Sequence, residues 1–303
     1  MWSYSNRTAQ PGFNNRDLKI FPIPLPPKAE QERMVEKLDA LFAQLEVLKK
    51  HLQTVPQLLK DFKQSVLNQA VTGKLKMDNG KLKVEEWKET TLGEISSVVR
   101  GGSPRPAGDP KFYGGDIPFV KVKDITKDSN KFLESYEYTI TEAGLRKTRQ
   151  LKKNTVLLTN SGATLGVPKI TNFNITINDG VAAFLNLKNS SEDYLYYFLL
   201  TQTENFRNIN KGAAQPNLNT DIIKNWFVLL PPLSEQEEIV KKVESLLTKA
   251  EVIEQKYLAL KQEIDALPQS ILAKAFRGEL VPQLPTDGSA KDLLEEIAKL
   301  KQL

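Results

Sequence analysis

An internal repeat dominates this sequence. Residues 215–280 align without gaps on residues 10–75, and 22 of the 66 aligned positions are identical. Both copies contain two prolines followed shortly by Glu-Gln-Glu, and corresponding positions are 205 residues apart. A period this long that occurs twice is typical of a duplicated module and not of a solenoid. The fold therefore has to contain the same element twice, with an unrelated segment between the copies.

Within each copy, apolar residues recur alternately four and three positions apart. This heptad pattern is typical of helices that bury a narrow stripe against another helix. Two such helices in one chain predict an antiparallel pair, and a coiled coil between two chains is the alternative. The predicted interface residues of the first copy are Met34, Leu38, Leu41, Leu45, Leu48, Leu52, Val55, Leu59, Phe62 and Val66. Those of the second copy are Ile239, Val243, Leu246, Ile253, Tyr257, Leu260, Ile264, Leu267 and Ile271, and the small Ala250 occupies the remaining position of the heptad stripe.

The ends of the two helices can also be predicted. Gly73 and Gly278 are each followed by leucine two positions later, as expected of a left-handed C-terminal cap. Pro56 and Pro268 lie inside the two heptad runs and should bend or interrupt the helices, because proline lacks a backbone N–H. The chain then closes with a predicted short amphipathic helix that Ser289 would cap.

Between the copies, the heptads give way to short β-type runs broken by Gly, Pro and Asn. Strands are predicted in the segments DIPFVKVKDI, NTVLLTNSG, VPKITN and ITINDGVAAFLNL, and an amphipathic helix over residues 192–209. The predicted fold class is α+β, with one globular mixed α/β domain and two long helices packed as an antiparallel coiled-coil spacer. We call the globular part, residues 88–232, the middle domain.

Composition excludes several classes of function. The chain has no cysteine, which rules out disulfides and thiolate metal sites, and its single histidine, His51, argues against zinc or histidine-base chemistry. Neither a GxGxxG nor a GxxxxGK[ST] phosphate loop is present. No apolar run is long enough to span a membrane, so a cytoplasmic location is expected. We therefore predict no catalytic residue, no metal ligand and no cofactor site in this chain.

The middle domain is instead predicted to read a polyanion. A protein that reads DNA needs cations for phosphates, and amide or guanidinium groups for base edges. The densest basic run, Arg146 to Lys153, contains no acidic residue. Each candidate taken alone is more often an ordinary surface residue. The candidate DNA-binding residues are Gly101, Gly102, Ser103, Arg105, Lys121, Lys123, Arg146, Lys147, Arg149, Lys152, Lys211, Gln215, Asn217 and Asn219.

The segments that contain these residues resemble those of the specificity subunit of type I restriction-modification systems. The resemblance rests on EEWKETTLGEI, RGGSPRP, YGGDIPFVKVKDI, SGATLG and GAAQPNLNTDIIKNWFVLLPPLSEQEEIV, and it extends over nearly the whole chain. It implies target-recognition domains that each read half of a split DNA sequence and are each followed by a spacer helix. The implied partners are double-stranded DNA, modification subunits that bind S-adenosylmethionine and methylate adenine, and restriction subunits that use ATP and Mg²⁺.

The sequence departs from this pattern at its beginning. On the resemblance, residues 1–27 are the end of a first recognition domain, 28–75 and 233–280 the spacer helices, 76–87 a linker, 88–232 the complete recognition domain and 281–303 a tail. The first copy of the repeat is thus expected to close a domain that this chain lacks, through natural truncation or because it is a fragment. Two such chains would then be able to form a homodimer.

Two other functional classes remain open from the sequence. The heptads and the modest basic excess of the middle domain also suit a coiled-coil assembly protein whose globular domain binds protein. A self-sufficient methyltransferase is the other class, although the Asp/Asn-Pro-Pro-aromatic motif of such enzymes is missing.

Overall fold

The computed structural model describes residues 22–78, 80, 82–209 and 217–301. They form two compact units. One unit is Leu59–Val252, and the other comprises the described residues of Met1–Leu58 and Ile253–Leu303. Each of the two long helices contributes residues to both units.

The elements follow one another in the order of the chain. They are α1 (Lys28–Val71), β1 (Lys88–Thr91), α2 (Leu92–Ile95), β2 (Ser97–Arg100), β3 (Tyr113–Val120), α3 (Val122–Thr126), β4 (Phe132–Leu133), β5 (Tyr138–Ile140), α4 (Glu142–Leu145), β6 (Arg149–Leu151), β7 (Val156–Thr159), β8 (Pro168–Thr171), β9 (Ile175–Ile177), β10 (Val181–Leu185), α5 (Glu192–Ile209), α6 (Thr220–Lys224), β11 (Phe227–Leu230), α7 (Leu233–Phe276) and α8 (Ala290–Leu300). A single 3₁₀ turn, Val84–Glu86, precedes β1. The predicted α+β class is confirmed.

The two predicted long helices are present, and each contains 44 residues. Gly73 (φ 68°) and Gly278 (φ 72°) follow them in the left-handed region, as predicted. Pro56 and Pro268 do not interrupt the helices, since both residues lie inside continuous helix, and the predicted bends stay a prediction. Each proline removes one backbone hydrogen bond, and the bonds of the neighbouring turns continue the helix on either side.

Burial along the predicted heptad seam is uneven. In the unit Leu59–Val252, Val66, Ile239 and Val243 are buried in one apolar cluster. In the other unit, Leu45 and Ile264 are buried, at 3% and 5% exposure. The remaining seam positions are Leu59, which is buried; Met34, Leu38, Leu41, Leu52, Val55, Leu246, Tyr257 and Ile271, which are half-buried; and Leu48, Phe62, Ile253, Leu260 and Leu267, which are exposed. The interface assignment of the exposed positions therefore stays a prediction.

Pairs of opposite charges show that α1 and α7 are antiparallel within the unit formed by the described residues of Met1–Leu58 and Ile253–Leu303. A hydrogen bond from Lys261 lowers the pKa of Asp265 on α7, and the charge of Lys49 on α1 lowers it further. Near the start of α1, Arg33 pairs with Asp287, which follows the end of α7. Residues later in α1 thus lie beside residues earlier in the segment that contains α7, which is the predicted antiparallel arrangement.

The C-terminal tail packs against α1 within the same unit. Ser289 caps α8 as predicted, accepting a hydrogen bond from the backbone N–H of Lys291 at 3.1 Å. The Arg33 guanidinium holds Asp287 with both terminal nitrogens, and its Nη2 also donates to the Pro282 carbonyl at 3.1 Å. Asp287 accepts a further bond from the Leu284 N–H at 2.6 Å. The tail is therefore attached to α1 through one carboxylate.

Acid should release this tail. The hydrogen bond from Arg33 lowers the pKa of Asp287 below its ordinary 3.8. A lowered folded-state pKa contributes stability that is present above the unfolded value and is lost as the pH falls through the folded value. We expect the Leu284 amide to be protected from hydrogen exchange at neutral pH and to lose that protection below pH 3.8. Exchange mass spectrometry, expressed as protection factors, measures this. The variant Asp287→Ala, which removes the acceptor, should show weak protection at every pH, and full protection in that variant would contradict the assignment.

The middle domain contains three sheets, and the smallest pairs β1 with β11 in antiparallel fashion. A five-stranded sheet has the order β2-β10-β7-β8-β4, and a four-stranded sheet has the order β5-β3-β9-β6. Side chains of β7 alternate between two apolar clusters, because successive residues of a strand face opposite sides. Val156 and Leu158 join the cluster that includes α5, whereas Leu157 joins Val120 and Ile177 of the four-stranded sheet. The five-stranded sheet therefore lies between α5 and the four-stranded sheet.

Local predictions for this domain hold where the pattern is long. The predicted helix over residues 192–209 is α5. The predicted strand DIPFVKVKDI is only half correct, since β3 ends at Val120 and α3 follows. Asp124 accepts a hydrogen bond from the Lys121 backbone N–H at 2.8 Å, which favours a helical turn at this point over a continued strand.

Candidate nucleic-acid interface

One end of the four-stranded sheet gathers several of the candidate residues. Strands β3 and β9 are parallel, with Val120 beside Ile177. Strands β6 and β5 run antiparallel to them, with Arg149 beside Ile177 and Tyr138 beside Phe119. The carboxyl ends of β3 and β9 therefore lie next to the amino ends of β5 and β6. The residues just beyond these strand ends share one edge of the domain.

The glycine loop after β2 crosses this edge. The Gly101 N–H donates to the Val181 carbonyl and the Gly102 N–H to the Ile177 carbonyl, both at 3.1 Å. The Ser103 hydroxyl donates to the Asp179 carboxylate at 2.6 Å. A Cβ on Gly101 would lie 2.2 Å from the Ile177 carbonyl oxygen, so the close approach of the two backbones requires glycine at this position.

The basic run lies against the same loop. A Cβ on Gly102 would lie 2.4 Å from the Lys147 carbonyl oxygen. The Thr148 hydroxyl donates to the Ile177 carbonyl at 2.5 Å, which attaches the run to the end of β9. The side chains of Arg146, Lys147 and Arg149 are exposed, and none forms a salt bridge within the described part of the chain. We call Arg100–Ser103, Arg146–Arg149 and Asn178–Asp179 together the cationic edge.

Two predicted lysines lie beside the cationic edge but are already engaged. The Lys121 ammonium lies 3.2 Å from the centroid of the Tyr138 ring, and burial lowers its pKa. Lys123 is exposed and paired with Glu137 at 2.9 Å. That hydrogen bond raises the pKa of Lys123 and offsets much of its charge locally. We expect both lysines to contribute less to anion binding than Lys147 or Arg149.

Other candidates have different positions. Lys152 lies at the opposite end of β6, where its carbonyl accepts hydrogen bonds from the hydroxyls of Thr155 and Thr171. The Asn219 side chain accepts a hydrogen bond from the Ile222 N–H at 2.8 Å and caps α6, a role that is structural. Arg105 is exposed. Burial raises the pKa of Tyr113, and the positive charge of Arg105 offsets part of this rise.

The remaining candidates lie in the sequence between α5 and α6. Asn217 forms an isolated β-bridge with Ser161. Lys211 and Gln215 lie outside the described residues, as does the start of the first copy of the repeat, around Gln10.

Sequence reasoning missed part of this site. Arg100 donates through Nε to the Asp179 carbonyl, and Asp179 also holds Ser103, so these two residues set the path of the glycine loop. Arg100 directly precedes the glycine pair, which is a signal that was available in the sequence. Tyr138 had no such signal, because only the register of β5 against β3 brings it to this edge.

Two negative observations complete the description of the site. Among the described residues, no three His, Asp or Glu side chains are close enough together to hold a metal ion. In the same part of the chain, every helix is too short or too polar to cross a bilayer.

Comparison with known proteins identifies the family. The profile described as "Type I restriction modification DNA specificity domain" matches residues 1–57 and 84–262. This chain belongs to that family. The EcoBI specificity subunit of Escherichia coli is 35% identical over 316 residues, covering 94% of this chain and 65% of that protein. The EcoKI specificity subunit of Escherichia coli K12 is 31% identical over 97% of this chain and 67% of that protein. The chain thus spans about two thirds of the length of these relatives.

Solved structures of the family support the fold. A chain from a type I restriction-modification system superposes with a TM-score of 0.66 at 23% identity, covering 90% of this chain and 65% of that chain. The HsdS subunit of Thermoanaerobacter tengcongensis superposes with a TM-score of 0.62 at 24% identity, covering 92% and 66%. The arrangement of a mixed α/β domain with long helices is therefore shared.

Proposed function

We propose that this chain is a DNA-specificity component of a type I restriction-modification complex, and that its middle domain reads one half-site of a split target. The observation that carries the proposal is the cationic edge. Three exposed cations without salt bridges within the described chain lie beside a glycine loop whose backbone is held in place by the carbonyls of Val181 and Ile177. Family membership supplies the chemical class of the ligand, and the edge supplies a place for it.

The edge suits the two tasks of a DNA reader. Exposed Arg and Lys side chains neutralise phosphates, which positions the duplex without reading its sequence. Guanidinium groups such as that of Arg149 then reach base edges in the major groove, where each base pair displays a distinct pattern of donors and acceptors. Both kinds of contact come from loops fixed on one sheet end, so their spacing is set before DNA binds.

The proposed chain performs no chemistry itself. Modification subunits with S-adenosylmethionine would methylate adenine, and restriction subunits with ATP and Mg²⁺ would cleave DNA, all in the cytoplasm. The relatives are named specificity subunits of type I restriction enzymes, which is the support for these partners. The long helices α1 and α7 would fix the distance between the middle domain and the modification subunit.

The number of chains in the complex is a separate part of the proposal. A chain with one recognition domain would suit either one copy with one or two modification subunits, or two copies paired symmetrically. Exposed seam residues such as Leu48, Ile253 and Leu260 favour pairing, because apolar stripes of this kind are commonly covered by another helix. Native mass spectrometry of the chain with and without its modification subunit distinguishes the two arrangements.

Electrophoretic retention of a randomised duplex library tests the function. We expect the chain together with a modification subunit to retain a subset of sequences that share one short motif. We also expect affinity to fall steeply with salt, with a slope of about −0.9 for each phosphate neutralised. Retention without sequence preference, or none, would instead support the assembly protein whose globular domain binds protein.

A further inference from the structure

The first turn of α7 holds the middle domain through one buried amide. Gln236 is fully buried, and its Nε2 donates to the carbonyls of Pro231 and Asn189, both at 2.8 Å. Its Oε1 accepts from the Ser191 N–H at 2.9 Å. Ser191 in turn accepts from the Tyr194 N–H and so caps the start of α5. The Gln236 side chain therefore joins three parts of the chain: the two prolines before α7, which we call the hinge (Pro231 and Pro232), the loop before α5, and α7 itself.

The neighbouring residue binds the other end of the same domain. Glu235 accepts a hydrogen bond from the Trp87 indole N–H at 2.8 Å and from the Lys83 backbone N–H at 3.2 Å. Trp87 directly precedes β1, where the middle domain begins. Both ends of the domain are thus bonded to adjacent residues of α7.

A second anchor lies about two turns further along α7, roughly 12 Å away at 1.5 Å per residue. Lys131 lies 2.6 Å from both Asp193 and Glu244, and only 17% of its side chain is exposed. Burial lowers the pKa of Lys131, but the hydrogen bonds that its ammonium donates to these two carboxylates outweigh burial and raise the pKa. The hydroxyl of Tyr197 also donates to Glu244, at 3.4 Å.

The apolar contacts between α7 and the domain do not specify one angle. Ile239, Val240 and Val243 belong to the main apolar cluster, and such contacts are non-directional. Hydrogen bonds are directional, and two sets of them on one helix restrain both the tilt and the rotation of the middle domain relative to that helix. Ion pairs whose carboxylates are partly exposed contribute little to stability, so the presence of this one is better explained by orientation than by stability.

The hinge bond also recurs in the first copy of the repeat. Gln31 Nε2 donates to the Pro26 carbonyl at 2.8 Å, the same bond that Gln236 makes to Pro231. The repetition indicates that the amide belongs to the hinge itself and is not an accident of one interface.

We propose that Gln236 and Glu244 are positioning residues that fix the angle of the middle domain on the spacer helix, and thereby the place at which target DNA is presented to the methyltransferase partner. The second half of this statement rests on the proposed function. The first half does not, because it concerns only the geometry of the unit Leu59–Val252.

Pulsed electron resonance between two spin labels tests the angle directly. The chain contains no cysteine, so labels at Asn172→Cys on the domain and Glu251→Cys on α7 need no background substitution. We expect a narrow distance distribution in the labelled parent and a broadened or shifted one in Gln236→Leu and in Lys131→Met/Glu244→Leu. The matched control is Glu237→Ala, an exposed carboxylate next to Gln236, which should leave the distribution unchanged. Circular dichroism verifies that each variant is folded, and an unchanged distribution in both folded variants would overturn the proposal.

Methylation kinetics test the consequence. With the modification subunit present, we expect Lys131→Met/Glu244→Leu to lower kcat for adenine methylation by about tenfold or more, because small misplacements of reacting groups are costly, while Kd for the duplex stays within about twofold. An unchanged kcat despite a broadened distribution would overturn the link to methylation. If the unsubstituted complex binds no duplex, the proposed function fails, and the spin-label distances still decide the positioning role.

Discussion

Replacing Lys147 and Arg149 together with alanine lowers the affinity of the complex for its target duplex by on the order of 100-fold. Both side chains are exposed on the cationic edge and make no salt bridge within the described chain. A base-reading arginine is worth about 1–3 kcal/mol, and each lost phosphate contact reduces the salt slope by about 1. Fluorescence anisotropy titrations at several salt concentrations measure the affinity and the slope in one series.

Two single substitutions serve as matched controls for that result. Lys152→Ala removes a cation from the same basic run but at the opposite end of β6, and Lys123→Ala removes one that is paired with Glu137. Both should change the affinity by less than about threefold, as an isolated surface charge usually does. Equal losses in the controls and in the double variant would show that the middle domain binds DNA through general charge and not through the cationic edge.

Substituting Gly101 with alanine should damage stability and DNA binding together. The added methyl would lie 2.2 Å from the Ile177 carbonyl oxygen and 2.3 Å from that of Asn178, so one backbone segment has to move. Overpacking of this kind costs about 1–3 kcal/mol in the free energy of unfolding. Urea denaturation followed by circular dichroism gives this free energy, and the anisotropy titration gives the loss of affinity.

The control for Gly101→Ala is Ala107→Val, which enlarges an exposed side chain in the same loop. It should leave both the unfolding free energy and the affinity close to those of the parent. Normal stability and normal affinity in Gly101→Ala would contradict the described approach of the glycine loop to the end of β9.

Local sequence signals were sufficient for the helical part of the fold. The heptads extend over many turns, and each helix ends at a glycine with positive φ, so α1 and α7 follow from residues close together in the chain. The same is true of α5, whose predicted range matches the structure. Burial along the seam was less predictable, because it depends on which side chains of other elements cover each position.

The candidate site depended on contacts that are distant in the sequence. Gly102, Lys147 and Ile177 meet only because β6 and β9 pair in one register, and no spacing in the sequence reports that register. Composition selected Asn219 as a base reader, whereas the structure uses its side chain as a helix cap. Asp179 was not among the predicted residues, yet it holds the loop that carries Ser103.

Sequencing of methylated adenines in a host that carries this chain with its modification partner tests the central claim most directly. If the middle domain reads DNA through the cationic edge, the parent chain should direct methylation to one short motif. The Lys147→Ala/Arg149→Ala variant should lose that motif, and Lys152→Ala should keep it. Methylation of the same motif at undiminished frequency by the double variant would contradict the account.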